Sequence, residues 1–388
     1  MDNEQNMDRE EKLRAAARKN RRRRSVFGTF LAMLGCLVVM VGIMYGGVTL
    51  YSRLADQKDV SSEESQGNGT NESGSDLDDD TVGAVSEKVV YSQEELDARV
   101  AEAVLSAQGQ VSAQILEGIK AGLSEGNTVL ETLRPLYPDD LIVASGGRYH
   151  FVPINRSLKQ NQLDIANVNI LESGEYQYLV DGQIISHKGI DVSKHQGAID
   201  WNLVAQDGVE FAFSRVDFRG YGSEGKMVEE EYFVKNIEGA LAAGIKVGVY
   251  FYSQAITEAE AQEEAEFVIE RIRPYEIACP VVFDVERVSG AQGRMNDISV
   301  EERTALAVLF CQTIEQAGYK PMIYHNTEMG ALMLDLTQLE GYDKWYASYS
   351  DQIFYPYAYK IWQYSDKGSV QGINTDVDLN ISFEPLWE

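Results

Sequence analysis

Pro280-Val281-Val282-Phe283-Asp284-Val285-Glu286 is a short apolar run that closes on two carboxylates. β-Branched valines around one Phe predict a buried strand. Strand side chains alternate faces, so Asp284 and Glu286, two residues apart, point to the same side. Two acids on one face at the end of a buried strand repel each other and lose solvent. One of them is therefore expected to have a raised pKa and to stay protonated near neutrality. A proton donor beside a carboxylate is the equipment of glycoside hydrolysis. Taken alone, D-x-E is more often just the polar end of a strand meeting water, so the rest of the chain has to decide.

The elements that would position this pair are legible from Lys188 onward, where the pattern becomes strand, loop, helix. Candidate strands cover residues 189–193, 211–216, 246–253, 280–286, 321–326, 344–349, 360–364 and 377–381. Between them, residues 229–243 carry Phe233, Ile237 and Leu241 at helical spacing. Thr257-Glu258-Ala259-Glu260 and Ser299-Val300-Glu301-Glu302 read as capping boxes opening helices to about Ile272 and Ala317, where Arg273-Pro274 and Gly318 stop them. The last three strands are joined by links too short for much helix. The predicted class is α/β, a closed, mostly parallel, TIM-like β/α barrel of eight strands with fewer helices at its C-terminal end.

In such a barrel the chemistry sits at the C-terminal ends of the strands. That edge offers Asp191 from the first strand, Tyr250 and Tyr252 from the third, and Asp284 and Glu286 from the fourth. The fifth adds Tyr324 and Asn326, the sixth Trp345, the seventh Trp362 and Gln363, and the eighth Asp378. Asp191, Asp284, Glu286 and Asp378 form the candidate catalytic set. The aromatics and amides form the candidate substrate-binding set, since aromatic faces stack on sugars and amides bond hydroxyls. Any one Tyr or Trp here is more often core than ligand, and the convergence of the whole set is what argues for a site. The four histidines have no metal-ligand spacing and no C-x-x-C pair exists, so neither a metal nor a cofactor is expected. Cys279 and Cys311 are expected as separate buried thiols, with pairing left open.

Upstream of the barrel the chain changes character three times. Residues 1–25 hold nine Lys/Arg against five acids, so the acidic excess behind the net charge of −27 lies entirely in the rest of the chain. An acidic body argues against nucleic acid as partner. Ser25 to Ser52 contains no charged residue, and residues 26–51 are long enough to cross a membrane. Arg21–Arg24 precede this run and only Arg53 follows closely, which predicts a single-pass signal anchor with its N-terminus cytoplasmic and the rest outside. A cleaved signal peptide is the weaker reading, because the run is longer than a usual h-region. Lipidation at Cys36 is weaker too, because the apolar run continues past it. Residues 52–89 are acidic and poor in large apolar side chains, which predicts a flexible linker.

Residues 90–187 read as a small α+β spacer. A capping box, Ser92-Gln93-Glu94-Glu95, opens a helix whose stripe includes Leu96, Val100, Val104, Ala107, Val111 and Ile115. Packing of this helix on its own domain is the plainer expectation. Self-association as a coiled coil is the alternative, weakened by an Ala-rich seam. Gly146-Gly147 and Asp181-Gly182 each separate two β-like runs and predict tight hairpins.

The barrel half resembles the glycoside hydrolase family 25 lysozymes. The resemblance rests on Lys188-Gly189-Ile190-Asp191-Val192-Ser193-Lys194-His195-Gln196-Gly197 with Ile199-Asp200-Trp201, followed in order by Arg219-Gly220-Tyr221-Gly222, Gly248-Val249-Tyr250-Phe251-Tyr252-Ser253, the run ending in Glu286, Tyr324-His325-Asn326, Ile361-Trp362-Gln363-Tyr364 and Val377-Asp378-Leu379-Asn380. It covers residues 188–388. What it implies is a β/α-barrel muramidase cutting the β-1,4 bond between N-acetylmuramic acid and N-acetylglucosamine in peptidoglycan glycan strands. It further implies Glu286 as proton donor and Asp284 stabilising the oxocarbenium-like centre or orienting the substrate's acetamido group. Asp191 and Asp378 would line the cleft. The alternatives are a non-catalytic peptidoglycan-binding or scaffolding subunit of a cell-envelope complex, and a chitinase-like hydrolase.

Overall fold

The computed structural model describes residues 92–288 and 293–387. The expected basic tail, anchor and linker lie outside these residues. Among the described residues no helix is long and apolar enough to cross a membrane. Val100–Glu388 forms one compact unit.

Helix α1 (Gln93–Ser124) opens as its capping box predicts. The Ser92 N–H donates to Glu95 Oε2 at 2.9 Å and the Glu95 N–H to Ser92 Oγ at 3.2 Å. Contrary to expectation α1 does not pack on its own domain, since its one buried residue is Gly122. Strand β1 (Asp140–Ser145) pairs with β2 (Arg148–Pro153), and a second small sheet joins β3 (Val168–Ile170), β4 (Tyr176–Val180) and β5 (Gln183–Ile184). Both predicted hairpin turns take left-handed φ at their two central residues, 56° and 73° at Gly146 and Gly147, 51° and 78° at Asp181 and Gly182. Those values match the right-handed twist of the flanking strands.

These sheets lie against the barrel and share its core. Leu141, Val143 and Leu158 belong to the same apolar cluster as barrel residues such as Tyr355 and Trp362. Tyr176 stacks on Tyr364 with ring centroids 4.2 Å apart. The Lys188 ammonium joins the two parts through Glu175 at 2.6 Å and Asp207 at 2.8 Å.

The barrel strands are β6 (His187–Val192), β7 (Phe211–Arg219) with a short antiparallel partner β8 (Met227–Glu229), β9 (Lys246–Tyr252), β10 (Val281–Asp284), β11 (Pro321–Asn326), β12 (Asp343–Ala347), β13 (Ile361–Gly368) and β14 (Val377–Ser382). All neighbours from β6 through β7 and β9 to β13 run parallel. Strand β14 runs antiparallel to both β13 and β6 and closes the ring. Inside the ring, Phe211, Phe213, Val282, Met322, Trp345 and Ile361 form one apolar cluster, separate from the larger core between strands and helices. Room for the two Phe rings comes from glycine. A Cβ at Gly189 would lie 2.1 Å from the Phe211 ring, and one at Gly248 would lie 2.4 Å from Phe213.

The helices Glu258–Ile272 and Val300–Gln316 end where expected. Two local expectations need correction. Residues 229–232 are not helical, since Glu229 ends β8 and the helix begins at Phe233. The Thr257 cap is only half a capping box. Thr257 Oγ1 accepts from the Glu260 N–H, but the Glu260 carboxylate turns to the Ile256 N–H and Arg294.

Candidate active site

Asp284 is the last residue of β10, and Glu286 stands two residues beyond the strand end rather than on it. The rest of the acid set reaches the same mouth by two routes. Asp191 comes from the end of parallel β6. Asp378 is the second residue of β14, and it would sit at the opposite end of the barrel if that strand were parallel. Because β14 is reversed, Asp378 falls directly opposite Asp191 in register.

Asp191 is held by two amides. Its Oδ2 accepts from Gln363 Nε2 and from Asn380 Nδ2, each at 2.8 Å. The amide oxygens are occupied in turn. Asn380 Oδ1 accepts from the Trp345 indole N–H at 2.8 Å, and Gln363 Oε1 accepts from the Tyr324 and Tyr349 hydroxyls at 2.9 and 3.1 Å. An indole N–H can only donate, so it fixes which way Asn380 faces and points an NH₂ group at Asp191. That oxygen of Asp191 is therefore an acceptor, and burial drives its pKa up to about 6 while the two amides restrain the rise. Asp378 shares a hydrogen bond with Asp191. Burial first, then the negative field of Asp191, raises the Asp378 pKa to about 9, so it holds the proton of this pair at neutral pH.

Asp284 and Glu286 are raised as well. For Asp284 burial is the largest cause, followed by the charges of Glu286 and Asp191, and the shift is large. Its Oδ1 is buried without a hydrogen-bond partner in the chain. Glu286 is raised mainly by burial, opposed by a hydrogen bond with Tyr324. Arg215 is the cation whose field opposes the Asp191 and Asp284 shifts. Its guanidinium is already committed to buried Glu230, with N–O distances of 2.7 and 2.8 Å. Four clustered, buried acids cannot all ionise at neutral pH.

The expected substrate-binding residues divide. Tyr250 and Tyr252 lie beside the acids, whose charges act on both hydroxyls. Tyr324 and Gln363 belong to the network around Asp191. Trp345 is buried beneath it, its ring against Phe213 at 4.7 Å and Tyr324 at 4.9 Å, so it supports the site from below instead of offering a sugar-stacking face. Asn326 Oδ1 accepts from the Met329 N–H at 3.0 Å and caps the turn after β11. Trp362 is a correction. It follows Ile361 and precedes Gln363 on β13, and strand alternation sends it to the outer face, where it packs edge-on against Tyr176 and donates to Ser348 O.

Arg215, Glu230 and Asn380 were absent from the expected set, as were Tyr221 and Tyr349. The two tyrosines are 45% and 56% exposed at the rim, Tyr221 edge-on to Tyr252 at 6.1 Å. Their signal was present, since both follow strands in loops and both lie in segments already singled out. Arg215 gave less warning, because a bulge between Arg215 and Asp217 shifts the register of β7 there. Among the described residues no cluster of His, Cys, Asp or Glu is arranged to hold a metal ion. Cys279 and Cys311 are buried and unpaired.

Residues 190–373 match the family described as glycosyl hydrolases family 25. The Escherichia coli K12 protein YegX is 29% identical over 206 residues, covering 50% of this chain and 68% of YegX. The autolytic lysozyme of Clostridium acetobutylicum is 28% identical over 194 residues, covering 50% of this chain and 55% of that protein. Among solved structures, a family 25 glycosyl hydrolase from Bacillus anthracis is 25% identical with a TM-score of 0.42, covering 54% of this chain and 93% of that one. The match runs through the segments that hold Asp191, Asp284 and Glu286 and stops short of Asp378, and over it the barrel is similar to the family 25 glycosyl hydrolases.

Proposed function

We propose that the barrel hydrolyses peptidoglycan glycan strands as a muramidase, at the β-1,4 bond between N-acetylmuramic acid and N-acetylglucosamine. The observation that carries this reading is the meeting of Asp191, Asp284, Glu286 and Asp378 in one buried field, where the charge of Arg215 opposes the shifts of Asp191 and Asp284. Glu286, raised by burial, gives its proton to the glycosidic oxygen as the C1–O bond breaks. Asp284, whose Oδ1 has no partner in the chain, stabilises the positive charge that develops at C1 or orients the acetamido group beside it. Water then adds to C1 and its proton returns to Glu286. Asp191 and Asp378 share one proton, so with Glu286 protonated the four acids carry at most two negative charges. Exposed Tyr221 and Tyr349 are suited to stack on flanking sugars.

Glu286→Gln tests this assignment. Loss of a general acid is expected to cost about 10²–10⁴-fold in glycan hydrolysis, with the melting temperature close to that of the parent. Hydrolysis at the parent rate would remove Glu286 from the mechanism.

The same reading puts the barrel outside the cell membrane, tethered by residues 26–51 and facing the wall. Its support is the uncharged run with Arg21–Arg24 before it and only Arg53 close behind it. Protease added to cells with a permeabilised wall is expected to digest the barrel, and protection of the barrel would contradict the orientation.

A further inference from the structure

We infer that α1 is a self-association element, pairing along its apolar stripe with the same helix of a second copy of the chain. Of its 32 residues only Gly122 is buried, while Val100, Val104 and Ile115 are exposed. Helices in folded proteins are stabilised chiefly by packing an apolar face, and an isolated one in water is marginal. This helix runs for about 48 Å at 1.5 Å per residue with that face uncovered.

Three features of this helix point to an identical helix as the partner. The stripe repeats after eleven residues, Val100 with Val111, Val104 with Ile115, and Ala107 with Gly118, and it ends before Gly122, which lies against Thr132. That period holds a seam on one side of a long helix and is the signature of a right-handed supercoil. Residues 103–116 contain no charged side chain, so two copies meet there without like-charge repulsion. Small residues such as Ala103, Ala107 and Gly118 let two helices approach closely.

Other occupants fit less well. Residues 93–124 contain no aromatic ring to stack on glycan. Their five acids outnumber two bases, which disfavours an anionic lipid surface. The barrel itself leaves the stripe exposed.

Sedimentation of the full chain in detergent tests the inference. The parent is expected at twice the chain mass. Val104→Glu combined with Val111→Glu is expected at one chain mass, with hydrolysis of soluble glycan fragments and the melting temperature unchanged. A monomeric parent, or a double variant that stays dimeric, overturns the proposal. Cysteine crosslinking gives an independent readout. Val111→Cys is expected to form a disulfide-linked dimer on mild oxidation, whereas Ala113→Cys, on the far side of the helix, is not. Equal crosslinking at the two positions, or none at Val111, also overturns it.

Discussion

Proton bookkeeping among four acids sets the behaviour of the barrel mouth. Asp378 is the clearest case, with a pKa lifted from the ordinary carboxylate range to about 9 by burial and by Asp191. A carboxyl raised in the fold keeps its proton after the unfolded chain has released its own. The unfolded state then binds fewer protons, so unfolding free energy falls as pH rises between the ordinary carboxylate value and about 9. The contribution is fully present at low pH and is lost as pH rises through the folded value. Asparagine mimics the protonated acid and does not titrate. Asp378→Asn is therefore expected to raise the melting temperature at mildly alkaline pH, with the gain over the parent shrinking toward acid pH. Thermal denaturation across that range checks it, and a gain independent of pH would contradict the assignment.

At the scale of elements, the site depends on how strands end and reverse. β14 brings Asp378 to the mouth because it is antiparallel, and Glu230, the residue after β8, meets Arg215. Glu230 withholds part of the Arg215 charge from Asp284. Glu230→Gln is expected to strengthen the cationic field at Asp284 and move the acid limb of the pH–activity profile to lower pH; an unmoved limb would show that Arg215 does not tune the acid pair. The sequence made much of this legible. Short apolar runs located all eight barrel strands, and S/T-x-x-E caps located the helices Glu258–Ile272 and Val300–Gln316. The C-terminal-edge rule found Asp191, Asp284 and Glu286, whereas Asp378 lies near the start of β14 and reaches the mouth only because that strand is reversed. It failed where local signals underdetermine direction. Ile361-Trp362-Gln363-Tyr364 cannot say which of Trp362 and Gln363 faces inward, since both faces of a barrel strand are buried. Trp345 and Tyr250 look alike as buried aromatics until register puts one beneath the network and the other beside the acids. The segment 229–232, which includes Glu230, read as the start of a helix because its acids resemble a helical first turn.

Across the whole molecule, the residues before the barrel are part of its packing. Tyr176, Leu141 and Leu158 cover outer faces of the barrel that would otherwise meet water, so the hydrolase domain and its N-terminal layer share one core. α1 is a 32-residue helix with Gly122 as its one buried residue, which is why association between copies is assigned to it. The central claim remains that this acid-lined mouth cleaves wall glycan on the reducing side of muramic acid. Purified peptidoglycan should be digested with the protein, the fragments reduced with borohydride, and their end groups identified by mass spectrometry. New ends that are reduced muramic acid are predicted; reduced glucosamine ends, or no new ends at all, would contradict the account.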